Sequence, residues 1–154
     1  MCGSTPDRAE TPHSLYHGTA GIILFLLEQH RATGDQHALR QAVAAGRVVV
    51  ADLEGRSSLT CAIYSGWPGH IVVLNELGKA SGDSSFVDAA SMCVDRMMAQ
   101  SQPLGAGIGW IEPMPFADIT GVTGEREILD LSVGSAGAAW PCCTRTERAF
   151  TIGR

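Results

Sequence analysis

Cysteine and histidine are the side chains of this sequence best suited to chemistry, because a thiolate is a strong nucleophile and both residue types bind metal ions. The five cysteines stand at positions 2, 61, 93, 142 and 143. The adjacent pair Cys142 and Cys143 has no histidine after it, and a zinc site needs three or four ligands. The cysteines show no regular spacing, so we expect reduced thiols and no metal or other cofactor in this chain.

His17 and His70 each stand inside or beside a glycine pattern that opens an apolar segment. The pattern is Tyr-x-Gly-x-x-Gly, and it starts at Tyr16 and again at Tyr64. A metal site would need partner ligands that the sequence does not identify for either histidine. We therefore interpret both histidines as parts of the turns rather than as metal ligands.

The stretch that follows each pattern is also repeated. A shift of 48 residues superimposes the glycine patterns, the later Gly-Asp turns and the apolar positions between them. The matched pairs include Tyr16 with Tyr64, Gly18 with Gly66, Gly21 with Gly69, Gly34 with Gly82 and Asp35 with Asp83. A third opening runs from Asp130 to Gly137. A repeat with this period is typical of stacked helical hairpins.

Each repeat predicts an inner and an outer helix. The first inner helix is expected from about Thr19 to Ala32, and its apolar character on all sides predicts that other elements enclose it. Gly34 can end this helix and the Asp35 side chain can cap the next one. The outer helix is expected at about 36–53, because its apolar residues recur at helical spacing.

The second repeat predicts an inner helix that Gly66 opens and an outer helix at about 84–100. Residues 101–129 are rich in glycine and proline, so we expect a long loop there. The third opening is followed by Trp140 and Pro141 rather than by an apolar helix. We expect residues 140–154 to be an atypical tail, from a chain that is truncated or has left its ancestral reading frame.

Composition excludes several classes of protein. The 154 residues, of which 45% are apolar, suffice for one domain, expected at 14–139. A net charge of −5 without a run of Lys or Arg argues against a nucleic-acid partner. The longest apolar run, 20–27, is too short to span a membrane. Residues 1–13 lack the features of a secretory signal, which favours a cytoplasmic location. We expect these residues to form a mobile leader.

Together, the repeated glycine patterns, the Ala-Thr-Gly-Asp and Ala-Ser-Gly-Asp turns, the Gly-Trp110 loop and the segment Asp130 to Gly137 resemble the N-terminal part of lanthionine synthetase C-like (LanC-like) proteins. The resemblance implies an all-α fold, a partial α/α toroid similar to the six-hairpin glycosidases. This chain would contribute two helical hairpins and the start of a third. Inner helices would surround a central cavity, with the glycine turns at one end.

The resemblance also implies a function. Such proteins modify lanthipeptide precursor peptides by adding a cysteine thiol to dehydroalanine or dehydrobutyrine, and zinc holds the thiolate. The family's zinc-ligand motifs are absent from this chain, so it is expected to be an incomplete and inactive fragment, although a full-length member would bind zinc. Asp130 corresponds to a catalytic aspartate in the family pattern, and a helix cap is the alternative role for it.

The same resemblance places a set of residues around the cavity. Tyr16 and Tyr64 are expected to pack at repeat junctions, and Trp67 and Trp110 to lie at the cavity mouth. The full set of residues expected to line the cavity or bind substrate is Tyr16, His17, Gly18, Gly21, Tyr64, Gly66, Trp67, Gly69, His70, Trp110, Gly134 and Gly137.

Two other functions stay open. A half-toroid could bind a peptide or a small thiol such as glutathione without catalysis. A glycosidase-like activity would need a pair of carboxylates that face one cavity, and Glu28 and Glu76 occupy equivalent repeat positions. Whatever the function, a ring of helical hairpins that stops part way would leave apolar edges exposed. We therefore expect self-association through those edges.

Overall fold

A computed structural model of the protein describes residues 12–113, 125–127 and 134–139. Four helices dominate it: α1 (Thr19–Thr33), α2 (Gln36–Glu54), α3 (Trp67–Ser81) and α4 (Ser84–Ala99). A fifth helical segment occupies 135–139. Helix α1 packs against α2, α3 packs against α4, and α1 also contacts α3. The predicted all-α arrangement of two helical hairpins and the start of a third is confirmed.

The two hairpin turns have nearly the same backbone geometry. Gly34 and Gly82 end the inner helices with φ angles of 74° and 72°, a region that glycine adopts without steric cost. The side chain of Asp35 accepts a hydrogen bond from the N–H of His37 at 2.7 Å, and Asp83 accepts one from Ser85 at 3.0 Å. Each aspartate thus caps the outer helix of its own repeat.

Four short strands lie in the described parts of the segment 101–129, where a long loop was expected. Strands β1 (Gln102–Leu104) and β2 (Gly107–Gly109) form an antiparallel hairpin, and β3 (Ile111–Pro113) pairs with β4 (Glu125–Glu127). Gly105 allows the tight turn of the first hairpin with a φ angle of 58°. The prediction of a long loop is therefore wrong for these residues, because three-residue strands are too short to show an alternating pattern.

Helix α1 is not enclosed on all sides, which corrects the expectation drawn from its composition. Ile23 is buried, whereas Ile22 and Phe25 are 59% and 66% exposed. The equivalent residues of α3, His70 and Val73, are buried. Helix α3 packs against three helices, α1, α2 and α4, whereas α1 packs mainly against α2 and α3.

None of the helices in the part of the chain that the structure describes is long and apolar enough to cross a membrane. Most of the expected leader 1–13 and the whole expected tail 140–154 lie outside the described residues.

Candidate functional site

The two glycine patterns share one backbone arrangement at the start of the inner helices. The N–H of Gly18 donates to the carbonyl of Ser14 at 3.0 Å, and the N–H of Gly66 donates to Ala62 at 2.9 Å. Each bond spans four residues, and the matched positions are 48 residues apart. The repeat that the sequence predicts is therefore present in the hydrogen bonds of the loops as well as in the helices.

Close packing explains why glycine stands at these positions. A Cβ atom on Gly18 would overlap the carbonyl oxygen of Pro12, and one on Gly66 would overlap that of Thr60. In both repeats the obstructing oxygen belongs to the residue six positions earlier. The second glycine of each pattern, Gly21 or Gly69, meets the sixth preceding carbonyl in the same way. The four glycines thus let the preceding loop fold tightly over the helix start.

The first two turns are joined directly. The N–H groups of Leu15 and Tyr16 both donate to the carbonyl of Tyr64, at 2.9 and 3.2 Å. The rings of Tyr16 and Tyr64 lie next to each other, with centroids 5.7 Å apart. The structure therefore places both tyrosines at a repeat junction, where the sequence predicted them, with Tyr16 71% exposed.

The first turn borders a shallow concavity of about 340 Å³ at the start of α1. Its lining consists of Tyr16, His17, Gly18, Gly21, Ile22 and Phe25. The first four were predicted as cavity residues, and the structure brings them together. The rings of Tyr16 and His17 make an edge-to-face contact with centroids 4.4 Å apart. This mixture of apolar and aromatic groups, with one imidazole, is suited to binding an apolar side chain.

Ile22 and Phe25 were not predicted as site residues. The sequence predicts that both residues pack against neighbouring elements, because every side of the first helix is apolar. Their exposure depends on which side of α1 lacks a neighbour, and the pattern of a single helix carries no such signal.

The tryptophans do not line an open cavity, which corrects their predicted position at its mouth. Trp67 is fully buried, and its Nε1–H donates to Oε1 of Gln100 at 2.6 Å. Trp110 is 6% exposed, and its Nε1–H donates to the carbonyl of Met97 at 2.7 Å. Trp67 lies on α3, which packs against three other helices, so its large side chain contributes to the core instead.

His70, Gly66 and Gly69 are likewise buried at the second turn. Neither ring nitrogen of His70 has a hydrogen-bond partner among the described residues. Burial, with a smaller contribution from His13, lowers the pKa of His70 to about 4. The imidazole is therefore neutral near pH 7 and lies in the interior rather than on the concavity.

The third opening resembles the first in the residues that the structure describes. Gly134 and Gly137 are buried, and the N–H of Gly137 donates to the carbonyl of Gly134 at 3.0 Å. The corresponding bond from Gly21 to Gly18 is 3.2 Å long. The predicted catalytic residue Asp130 lies outside the described residues.

The described residues do not fit a zinc ion. Among them, no three cysteine, histidine or carboxylate side chains cluster closely enough to hold a metal. Cys61 and Cys93 are buried, and burial raises the pKa of Cys93 to about 12. Such a thiol is protonated near neutral pH as long as no metal is bound. Cys142 and Cys143 lie outside the described residues.

The two carboxylates considered for glycosidase chemistry are bridged by one cation. Arg31 bonds to Glu28 and, at 2.8 Å, to Glu76. Although partial burial raises the pKa of Glu76, the hydrogen bonds from Lys79 and Arg31 more than offset it, and the pKa lies below its usual value. A glycosidase needs one carboxylic acid with a raised pKa, so this ion-paired arrangement does not favour that chemistry.

Most of the sequence matches a known protein family. The family model described as lanthionine synthetase C-like protein matches residues 9–149 of the 154. No curated protein matches the sequence.

Proposed function

The chain belongs to the lanthionine synthetase C-like family, and from this premise we propose that it takes part in peptide modification, where its first repeat binds the peptide substrate. The reaction would add a cysteine thiol across the double bond of dehydroalanine or dehydrobutyrine. Sulfur bonds to the β-carbon, and the proton adds to the α-carbon. The observation that carries the proposal is the concavity formed by Tyr16, His17, Ile22 and Phe25.

In this proposal the first repeat holds the peptide and does not activate the thiol. Zinc in such enzymes lowers the pKa of the thiol, and the described residues offer no site for it. Asp130 stays the proposed acid or base for the proton of the enolate, as the family pattern implies. The first repeat would therefore contribute substrate affinity, which separates binding from the chemical step.

The composition of the concavity favours apolar or dehydrated residues over charged ones. Phe25 is 66% exposed and Ile22 is 59% exposed, so a peptide side chain that covers them removes apolar area from water. Burial of one such side chain contributes roughly 1.5–3 kcal/mol. His17 and Tyr16 add polar atoms at the rim, where they can bond to the peptide backbone.

Calorimetric titration would test the proposal. The probe is a synthetic peptide that contains dehydrobutyrine and an S-methylated cysteine, compared with its serine counterpart. We expect the dehydrated peptide to bind more tightly, and Phe25→Ser to weaken it by about tenfold, which corresponds to 1.4 kcal/mol. The matched control is Ile108→Ser, because Ile108 is 52% exposed on strand β2. Equal binding by the Phe25 and Ile108 variants would contradict the proposal.

Glutathione is the second probe. If it displaces the peptide, and if Phe25→Ser weakens both ligands, the concavity binds small thiols and the non-catalytic alternative is favoured. If glutathione has no effect, the peptide assignment stands.

A further inference from the structure

A second concavity shares no lining residue with the one at α1. It has a volume of about 500 Å³ and lies between α2 and the turn that joins α3 to α4. Its lining consists of Leu39, Arg40, Val43, Ala44, Arg47, Ser81 and Asp83. Arg40 and Arg47 are two helical turns apart on α2, which separates them by about 10 Å along the helix axis. We call this concavity the α2 groove.

The repeat supplies a surface of opposite charge. The 48-residue shift places Asp88 of α4 on Arg40 of α2, and Asp95 on Arg47. Asp88 and Asp95 are exposed, and they have the same two-turn spacing as the arginines. Between them stands the half-buried Met92. We call the surface formed by Asp88, Met92 and Asp95 the α4 acidic face.

The charged groups of both surfaces are available for pairing. Within the described residues, no ion pair involves Arg40, Asp88 or Asp95. The side chain of Arg47 is 70% exposed, and its only ion pair there is a long contact with Asp83 at 3.7 Å. Arginine can bind a carboxylate through two parallel hydrogen bonds, so each guanidinium has donors left for a second partner.

We propose that the α2 groove binds the α4 acidic face of a second copy of this chain. The two carboxylates of one copy pair with the two arginines of the other. Met92 of the second copy then occupies the apolar space over Ala44, where its flexible side chain can adapt to the groove. Because two different surfaces meet, the contact is heterologous, so in a pair one copy keeps a free acidic face and the other keeps a free groove.

The proposal does not depend on peptide binding at α1. It also differs from association through the open edge of the partial toroid, where Ile22 and Phe25 are exposed. Surface ion pairs are individually weak, so a reversible, concentration-dependent assembly is expected rather than a permanent oligomer.

Sedimentation velocity of the full chain over a wide concentration range would test the proposal. We expect wild-type protein to associate, and each of the double variants R40D/R47D and D88R/D95R to associate about tenfold more weakly. In an equimolar mixture, the acidic groove of R40D/R47D meets the basic α4 face of D88R/D95R, and the unchanged groove of D88R/D95R meets the unchanged acidic face of R40D/R47D. Both contacts are attractive, so the mixture should associate at least as strongly as wild type. Circular dichroism shows whether each variant keeps its helices, and recovery in the mixture shows directly that both variants are folded.

Four results would overturn the proposal. Wild-type protein could stay monomeric at every concentration. Alternatively, the double variants could associate like wild type, or their mixture could fail to recover. Loss of association only in I22S/F25S would assign the interface to the α1 edge instead.

Discussion

The main-chain N–H of Leu15 donates to the carbonyl of Tyr64 at 2.9 Å and so ties the first glycine turn to the second. The N–H of Tyr16 shares the same acceptor. These bonds hold the starts of α1 and α3 at one end of the molecule, where the first concavity lies. At the same end, each loop packs closely against the start of its helix, and only glycine leaves room for this packing. The shape of the concavity therefore depends on the glycines.

Replacement of Gly66 by alanine should destabilise the protein. The added Cβ would overlap the carbonyl oxygen of Thr60, and backbone atoms cannot move aside as a flexible side chain can. Overpacking of this kind costs about 1–3 kcal/mol. Urea denaturation followed by circular dichroism would measure the free energy of unfolding.

The matched control is Gly55→Ala. Gly55 has a φ angle of −76°, and a Cβ atom added there would lie 3.5 Å from its nearest neighbour, the carbonyl oxygen of Asp52. We expect a change of less than about 0.5 kcal/mol at this position. Equal effects at both positions would mean that the close approach at Gly66 does not constrain the turn.

Local features of the repeat could be predicted from the sequence. Gly34 and Gly82 end helices in the left-handed conformation, and Asp35 and Asp83 cap the helices that follow. Each of these outcomes depends on the preference of one residue within its own turn, so the residue type is sufficient to predict it.

Exposure of the inner helices could not be predicted in the same way. Ile22 and His70 occupy equivalent positions, yet the apolar residue is exposed and the polar one is buried. The difference arises from the neighbours of each helix, which no single repeat encodes. The burial of Trp67 could not be predicted either. An aromatic residue beside a turn can face a cavity or the core, and the neighbouring helices decide which.

Arg96 should stabilise the junction between the two repeats. Its guanidinium donates to the carbonyls of Leu53, Arg56 and Glu54 at the end of α2, with distances of 2.6 Å to Arg56 and 3.1 Å to Glu54. Its carbon atom Cζ also lies 5.8 Å from the ring centroid of Trp67. Hydrogen bonds from a charged group contribute about 1.5–3 kcal/mol, so Arg96→Met should lower the free energy of unfolding by about that amount.

The control for that variant is Arg40→Met, measured at low concentration. Arg40 is exposed and forms no ion pair among the described residues, so its loss should change stability by less than about 0.5 kcal/mol. Arg96→Lys should fall between the two, because an ammonium group cannot reach three carbonyls in the planar geometry of a guanidinium. Equal stability of the Arg96 and Arg40 variants would show that the carbonyl contacts are not stabilising.

Cys93 should resist alkylation in the folded protein. Burial raises the pKa of its thiol to about 12, although Arg96 acts in the opposite direction. Little thiolate is present near neutral pH, and the buried sulfur is also inaccessible to reagents. Peptide-level mass spectrometry after treatment with iodoacetamide should find Cys93 unmodified until urea unfolds the chain. The control is Val48→Cys, because a thiol at this 57% exposed position should react readily. Similar alkylation rates at positions 48 and 93 would mean that the thiol of Cys93 is not protected by burial.

Acidification should destabilise the protein through His70. Burial lowers the pKa of the folded imidazole to about 4, from the value of 6.5 expected in the unfolded chain. Between these values the unfolded state binds more protons, so the contribution of His70 to the free energy of unfolding falls as the pH decreases from about 6.5 to 4 and changes little below that range. The loss amounts to roughly 3 kcal/mol from this group. His70→Ile, which copies the equivalent residue Ile22, removes this titration.

The difference between wild-type and variant stability isolates the histidine, because other acidic groups titrate in both proteins. Urea denaturation at several pH values should show the free energy of unfolding of wild-type protein rise relative to that of His70→Ile as the pH increases from 4 to 6.5. Parallel curves for wild type and His70→Ile would mean that His70 does not titrate differently in the folded and unfolded states.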